Sequence, residues 1–429
     1  FSKSILYSLG FSSNFYFHYS GQQYGAESGL LKPFLHTWSL SVEEQYYILF
    51  PIVLLVTFKY FRKYLIHILI LGFVISLGLA EWTSRNYPSA SFYLLPTRMW
   101  ELLGGSLLAY FEINNGHRSK NKTLNLILPT IGLILIGHSI LFFNDGMFHP
   151  SFYTLSPIIG VCLIIWFSNK DELTTKILST KLFVGIGLIS YSLYLWHYPI
   201  FAMNRIVEFT GGGVFKKLSL GFLILIVSIF SYYFLEKPFR NKNNKFKVIF
   251  SLITISISVL MIFNFRVIQK DGYPSRVPEI LRGDSSPLWN ILKNQKGETC
   301  DGNIEGCKFN TSSNKKVYII GDSHMGSLFF NLKDRIVKSN YQFITSTFSG
   351  CLFYPGFNMV NNKTQKIDEN CNESYFQKLK QTLSNDKNSI IIFGGRHPLY
   401  LSNYWFDNKE GGVEGLEWGD KFISSGKYD

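Results

Sequence analysis

Up to about residue 265 the chain is a succession of apolar runs, each close to the roughly 20 residues a helix needs to cross the hydrocarbon of a bilayer. They predict helical spans at about 41–60, 64–81, 92–112, 124–142, 152–168, 182–203, 215–235 and 247–265. Beyond that point lysine, asparagine and glycine spread evenly and the apolar runs shrink to strand length. There the stretches 316–320, 341–348 and 389–393 read as strands, and 325–337 and 373–383 as helices, so this half is α/β.

One apolar run opens on polar residues. His36-Thr37-Trp38-Ser39-Leu40-Ser41-Val42-Glu43-Glu44 passes without a break into the apolar segment 48–58 and carries two carboxylates into the span. Ionisable groups in a bilayer are expensive unless they face a polar interior, which makes them functional candidates; the alternative is that they mark the headgroup boundary. In Thr97-Arg98-Met99-Trp100-Glu101, helical spacing puts Arg98 and Glu101 on one face, where they can pair. The sixth run contains Ser190-Tyr191-Ser192-Leu193-Tyr194-Leu195-Trp196-His197-Tyr198-Pro199, whose Trp and Tyr also suit an interfacial belt. His138, alone among Ile, Leu and Gly, reads as an embedded histidine and not as a catalyst.

Charge sets the topology. One set of loops holds Lys59, Arg62 and Lys63, then Arg118, Lys120 and Lys122, then Lys170, Lys176 and Lys181, then Lys237, Arg240, Lys242, Lys245 and Lys247, while the alternate loops hold far fewer cations. By the positive-inside rule the rich set is cytoplasmic, and an even number of spans brings the segment after Phe265 out on the same side as His36. His36, Glu43, Arg98, Glu101 and His197 then all lie toward the outer leaflet. The net charge of +13 is mainly this topology signal, and no basic stripe with interleaved aromatics points to nucleic acid. A composition of 47% hydrophobic and only 17% charged residues is likewise too apolar for an ordinary soluble chain.

Of the five cysteines, Cys162 lies in an apolar run and reads as a small buried hydrophobe. Cys300, Cys307, Cys351 and Cys371 lie in the segment placed outside, where disulfides form; of the three possible pairings, Cys300 with Cys307 and Cys351 with Cys371 each close a short polar loop. Zinc fails on spacing, since no C-x-x-C occurs and this half has only His324 and His397. Gly321-Asp322-Ser323-His324 follows an apolar strand and precedes a helix. A serine at such a turn suits nucleophilic work, because the helix start offers free amides to an oxyanion. Gly350, after the next strand, is a candidate for the second oxyanion amide. The first residues lack the basic start and continuous apolar core of a signal peptide, and with no initial Met the chain reads as a fragment.

These residues carry a resemblance. Through HTWSLSVEEQ, TRMWELLGG, SYSLYLWHYP and the closing FLEKPFR, residues 1–240 resemble the membrane acyltransferase family called acyltransferase 3. The remainder is similar, mainly through Gly321-Asp322-Ser323-His324 and Gly350, to the SGNH hydrolase-like domain fused to that family in bacterial envelope O-acetyltransferases. The resemblance implies a polytopic α-helical membrane domain over 1–240, a further transmembrane helix and linker over 241–265, and an incomplete, flavodoxin-like three-layer α/β SGNH domain over 266–429. It also implies the chemistry. An acyl group, typically acetyl from acetyl-CoA and with no tightly bound cofactor, crosses the bilayer and reaches a hydroxyl of an envelope glycan such as O-antigen, peptidoglycan or exopolysaccharide. The membrane would be the bacterial inner membrane, with the last domain in the periplasm. Ser323 would be nucleophile, Ser323 and Gly350 oxyanion donors, Glu43, His197, Arg98 and Glu101 catalytic in the bilayer, and His36, Trp38 and Arg396 contacts to substrate. The family's opening histidine and arginine motifs, expected before Phe1, and its D-x-x-H block are missing, and Gly394-Gly395-Arg396-His397 stands where a glycine-x-asparagine block would fall. Two other functions compete. A flippase for a lipid-linked sugar wants polar residues at mid-depth, whereas here they gather outward, and an anchored esterase needs one span, not about eight.

Overall fold

The computed structural model describes residues 1–23, 27–144, 146–170, 172–207, 213–241, 246–276, 292–294, 296–302, 306–361, 364–397 and 420–425. They form two compact units, one within Phe1–Gln269 and one from Lys270 onward. Lys242 and Lys245 of the charge pattern lie outside the described residues.

In the first unit α1 (Ser2–Leu9) and α2 (Ser13–Gly21) precede the long helices α3 (Thr37–Tyr60) and α4 (Leu65–Asn86). Short α5 (Pro88–Tyr93) leads into α6 (Leu95–Asn115), followed by α7 (Lys122–Phe142), α8 (Leu155–Phe167) and α9 (Leu173–Leu178). Then come α10 (Lys181–Val207), α11 (Val214–Ser231), a π-helical turn at Tyr232–Glu236, α12 (Lys237–Phe239) and α13 (Phe246–Gln269). Every expected span is a helix. Among the described residues five segments, Thr37–Tyr60, Arg62–Asn86, Lys122–Phe142, Val214–Phe239 and Phe246–Gln269, are long and apolar enough to cross a membrane, which makes this a multi-pass membrane protein. The other three depart from a simple apolar span for physical reasons: α8 has only 13 residues, and α6 and α10 are diluted by charged and polar groups, among them Arg98, Glu101 and His197.

Helix packing follows residue size and polarity. Gly132 of α7 faces Gly160 of α8 so closely that a Cβ on Gly132 would lie 2.5 Å from the Gly160 carbonyl oxygen. Where α4 meets α6, the buried Ser76 hydroxyl donates to Pro96 O at 2.6 Å and accepts the Trp100 N–H at 3.0 Å, standing inside the α6 ladder. The polar start of α3 is matched by α1 and α2, which the apolar pattern did not predict. Ser13 Oγ pairs with Ser41 Oγ at 2.8 Å, Ser8 Oγ with Thr37 Oγ1 at 2.8 Å, and Gln45 Nε2 donates to Asn14 Oδ1 at 2.9 Å. Hydroxyls and amides that would be orphaned in hydrocarbon are satisfied helix to helix.

The second unit has β1 (Lys308–Phe309), β2 (Lys316–Gly321), α14 (Ser323–Gly326), α15 (Phe329–Lys338), β3 (Gln342–Thr347), β4 (Phe357–Asn361), α16 (Glu373–Asn385), β5 (Ser389–Gly394) and β6 (Asp420–Ser424). The main sheet runs β1-β3-β2-β5, with β2 parallel to both β3 and β5. Alternation along β2 builds the layers: Val317 and Ile319 pack with Met325 and Phe329 on one face, Tyr318 and Ile320 with Leu379 of α16 on the other. Both expected disulfides, Cys300–Cys307 and Cys351–Cys371, are present. The helix expected over 325–337 is corrected to two pieces. The first begins at Ser323 because Asp322 caps it, and ends where Ser327 Oγ turns back to bond His324 O at 2.7 Å.

Candidate active site

In the membrane unit the start of α3 carries two groups of side chains. On one side Arg98 lies with its guanidinium carbon 5.1 Å from the Trp38 ring centre and 5.0 Å from that of Phe92. Its Nη1 donates to Glu101 Oε1 at 2.9 Å and its Nε to Phe92 O at 3.2 Å, so the pairing expected from spacing is made and Trp38 joins it. Two aromatic faces, a carbonyl and a carboxylate fix the guanidinium plane. A positive charge so held is suited to steadying anionic character on a bound group.

On the other side His36 meets His197, ring centres 5.6 Å apart, and stacks on Tyr198 at 5.5 Å. His36 is only 7% exposed, and neither ring nitrogen has a hydrogen-bond partner among the described residues. His197 bonds back onto its own helix. Its Nδ1 lies 2.7 Å from Tyr194 O, and since a carbonyl only accepts, Nδ1 is the donor; in the neutral ring Nε2 is then left to take a proton. Tyr194 OH lies 2.6 Å from Ser39 Oγ and bonds the His36 carbonyl, while Tyr198 OH donates to Gly29 O at 2.8 Å. Glu43 is one helical turn beyond Ser39 on the same face and is half-buried. Ser39, Tyr194 and Tyr198 were not singled out in the sequence, because in a span their types read equally well as interfacial anchors.

In the second unit Ser323 opens α14 at the C-terminal edge of β2, exposed. Its hydroxyl and its amide have no hydrogen-bond partner among the described residues, and the same holds for the Gly350 amide. Gly350 follows β3, whose Thr347 pairs with Gly321, so both amides stand at one edge of neighbouring parallel strands. Gly350 has φ +79°, and nothing lies within 4 Å of where a Cβ would be. A hydroxyl and unclaimed N–H donors at one sheet edge are the kinds of group that nucleophilic acyl transfer uses.

Asp322, 1% exposed, organises the turn. Its Oδ1 accepts the His324 N–H at 2.8 Å and its Oδ2 the Arg396 N–H at 2.7 Å. Gly395 comes so close that a Cβ there would lie 3.1 Å from Asp322 Oδ2. The Gly394-Gly395-Arg396 segment is thus clamped by its backbone to the residue before Ser323, which gives Arg396 a structural contact besides its expected one with substrate. His397 packs edge-on to Phe393, ring centres 5.0 Å apart, and His324 Nδ1 turns to Asp322 Oδ1 at 3.4 Å. Among the described residues no imidazole bonds Ser323.

Comparison with known proteins agrees with this division. The acyltransferase domain family matches residues 4–235, and the SGNH domain that occurs fused to such domains matches residues 293–422. A peptidoglycan O-acetyltransferase of Listeria monocytogenes is 31% identical over 258 residues, which is 56% of this chain and 41% of the relative. An O-acetyltransferase of Staphylococcus aureus is 32% identical over 234 residues, 50% of this chain and 37% of the relative. The chain thus spans less than half the length of these two relatives. No solved structure gives a significant match.

Proposed function

Because the chain belongs to the acyltransferase domain family, with an SGNH domain following, we propose that it is an envelope O-acetyltransferase that passes an acyl group across the membrane and onto a glycan hydroxyl. The observation that supports this reading is the coexistence of two sites: buried His36 and half-buried His197, Arg98 and Glu101 gathered around the start of α3, and a serine turn at Ser323. A chain that only hydrolysed esters has no use for the first, and one that only moved a sugar has no use for the second.

The acyl donor is acetyl-CoA or another acyl-CoA on the cytoplasmic side of the inner membrane. His197 Nε2 and Glu43 handle protons as the acyl group passes, and Arg98, held by Glu101 and Trp38, balances negative charge. His36 and Trp38 contact the substrate. In the SGNH domain, on the periplasmic side, Ser323 Oγ adds to the acyl carbonyl while a base takes its proton. The amides of Ser323 and Gly350 hold the resulting oxyanion, and its collapse leaves an ester on Ser323 and expels the carrier group with a proton. A sugar hydroxyl attacks that ester in the same manner and releases Ser323 with its proton restored. Peptidoglycan is the acceptor named for one relative, and a polymeric envelope glycan of this kind is the proposed acceptor here.

The test is Ser323→Ala in the complete protein, reading glycan-bound acetate and radiolabelled acetyl retained on the membrane protein. The reading expects glycan acetate to fall by several orders of magnitude while label still enters the protein. Full glycan acetylation in this variant would demote Ser323 to an ordinary turn residue.

A further inference from the structure

We propose that Asp301 is a positioning residue of the acyl-transfer site, tying the loop of Ser349 and Gly350 to the turn that carries Ser323. The inference rests on the reading of Ser323 as nucleophile. Asp301 follows Cys300, whose bridge to Cys307 is buried against Val317, Ile319, Met325, Phe329 and Phe343. Hydrogen bonds fasten this covalent loop to β3. The Cys307 N–H donates to Thr345 Oγ1 at 2.9 Å, the Thr345 N–H to Cys307 O at 3.0 Å, and the Gly302 N–H to Thr347 O at 3.0 Å.

So anchored, the Asp301 carboxylate meets three pieces of the site. Its Oδ1 accepts the Thr347 hydroxyl at 2.9 Å, at the end of β3. Its Oδ2 accepts the Ser349 hydroxyl at 2.6 Å, one residue before Gly350. Gly326, the last residue of α14, turns its methylene to the same carboxylate, where a Cβ would lie 3.6 Å from Asp301 Cγ. The loop is closed by the Cys351 N–H on Phe348 O at 2.9 Å and tied at Cys351 to Cys371, while at its exposed residue Ser349 the charged acceptor at Asp301 adds the side-chain bond that holds it toward the turn of Ser323.

The experiment uses the complete protein in proteoliposomes with acetyl-CoA and a soluble glycan fragment, and a fluorophosphonate to report the reactivity of Ser323. Ser349→Ala is an exposed substitution that keeps the fold, and Asp301→Asn keeps the shape of the side chain. Each should lower kcat about tenfold or more, with KM for the glycan fragment unchanged within about twofold and phosphonylation of Ser323 slowed in parallel. The double variant should be no slower than the slower single one, because both remove the same link. A wild-type kcat in both single variants, or losses that multiply in the double variant, would overturn the proposal. Failure of the underlying reading shows separately, as transfer that survives Ser323→Ala.

Discussion

At the residue scale the decisive groups are those whose surroundings leave one chemical option. Arg98 is the clearest in the membrane unit, since it uses its plane as well as its charge. Arg98→Lys keeps the cation and loses the stacking on Trp38 and Phe92 and the Nε bond. Glycan acetylation should therefore drop at least about tenfold with protein still present in the membrane; wild-type acetylation would show that charge alone suffices. In the second unit Asp386 accepts from Lys316 Nζ at 2.7 Å and from Tyr318 OH at 2.5 Å. Those bonds, Lys316 first, hold its carboxyl below the usual carboxylate range. Its stabilising contribution is present above the ordinary carboxylate pKa of about 4 and is lost as pH falls through the lowered value. The complete protein should accordingly resist proteolysis of this unit better than Asp386→Asn does at pH 7, with the difference vanishing at low pH; a difference independent of pH contradicts this. Sequence spacing made the Arg98–Glu101 pair legible because helical period alone decides it. The meeting of His36 with His197, and of Asp301 with Ser349, was not legible, because each depends on which distant elements pack together.

At the scale of elements, the spans and strands were readable wherever burial is apolar. β2, β3 and β5 occur within a residue or so of the stretches expected, and each of the eight expected spans is helical with ends displaced by up to about five residues, because hydrophobic period and length decide them in outline. α1 and α2 escaped notice because they are short and, apart from Phe17 and Gly21, their buried residues Ser4, Ser13 and Asn14 are polar, with Ser13 and Asn14 bonded to Ser41 and Gln45 of α3. The contact of α7 with α8 is equally invisible to periodicity, since it depends on two glycines. Gly132→Ala would put a Cβ 2.5 Å from the Gly160 carbonyl, so the helices must separate. We expect about 1–3 kcal/mol of destabilisation, read as a lower melting point and less protein in the membrane. An unchanged melting point would mean that the pair yields without cost.

At the scale of the whole molecule, family membership explains why a helical membrane unit and an α/β unit share one chain. The proposed direction of transfer rests on the loop charges, which by the positive-inside rule put the cationic loops on the donor side and the chain after α13 on the acceptor side. That vectorial relay is the central claim, and proteoliposomes of the complete protein, with labelled acetyl-CoA confined to one side and a glycan fragment to the other, test it most directly. The account predicts that label reaches the glycan only when donor and acceptor are on opposite sides, and that Ser323→Ala abolishes this transfer; label reaching the glycan only when both share one side would contradict it.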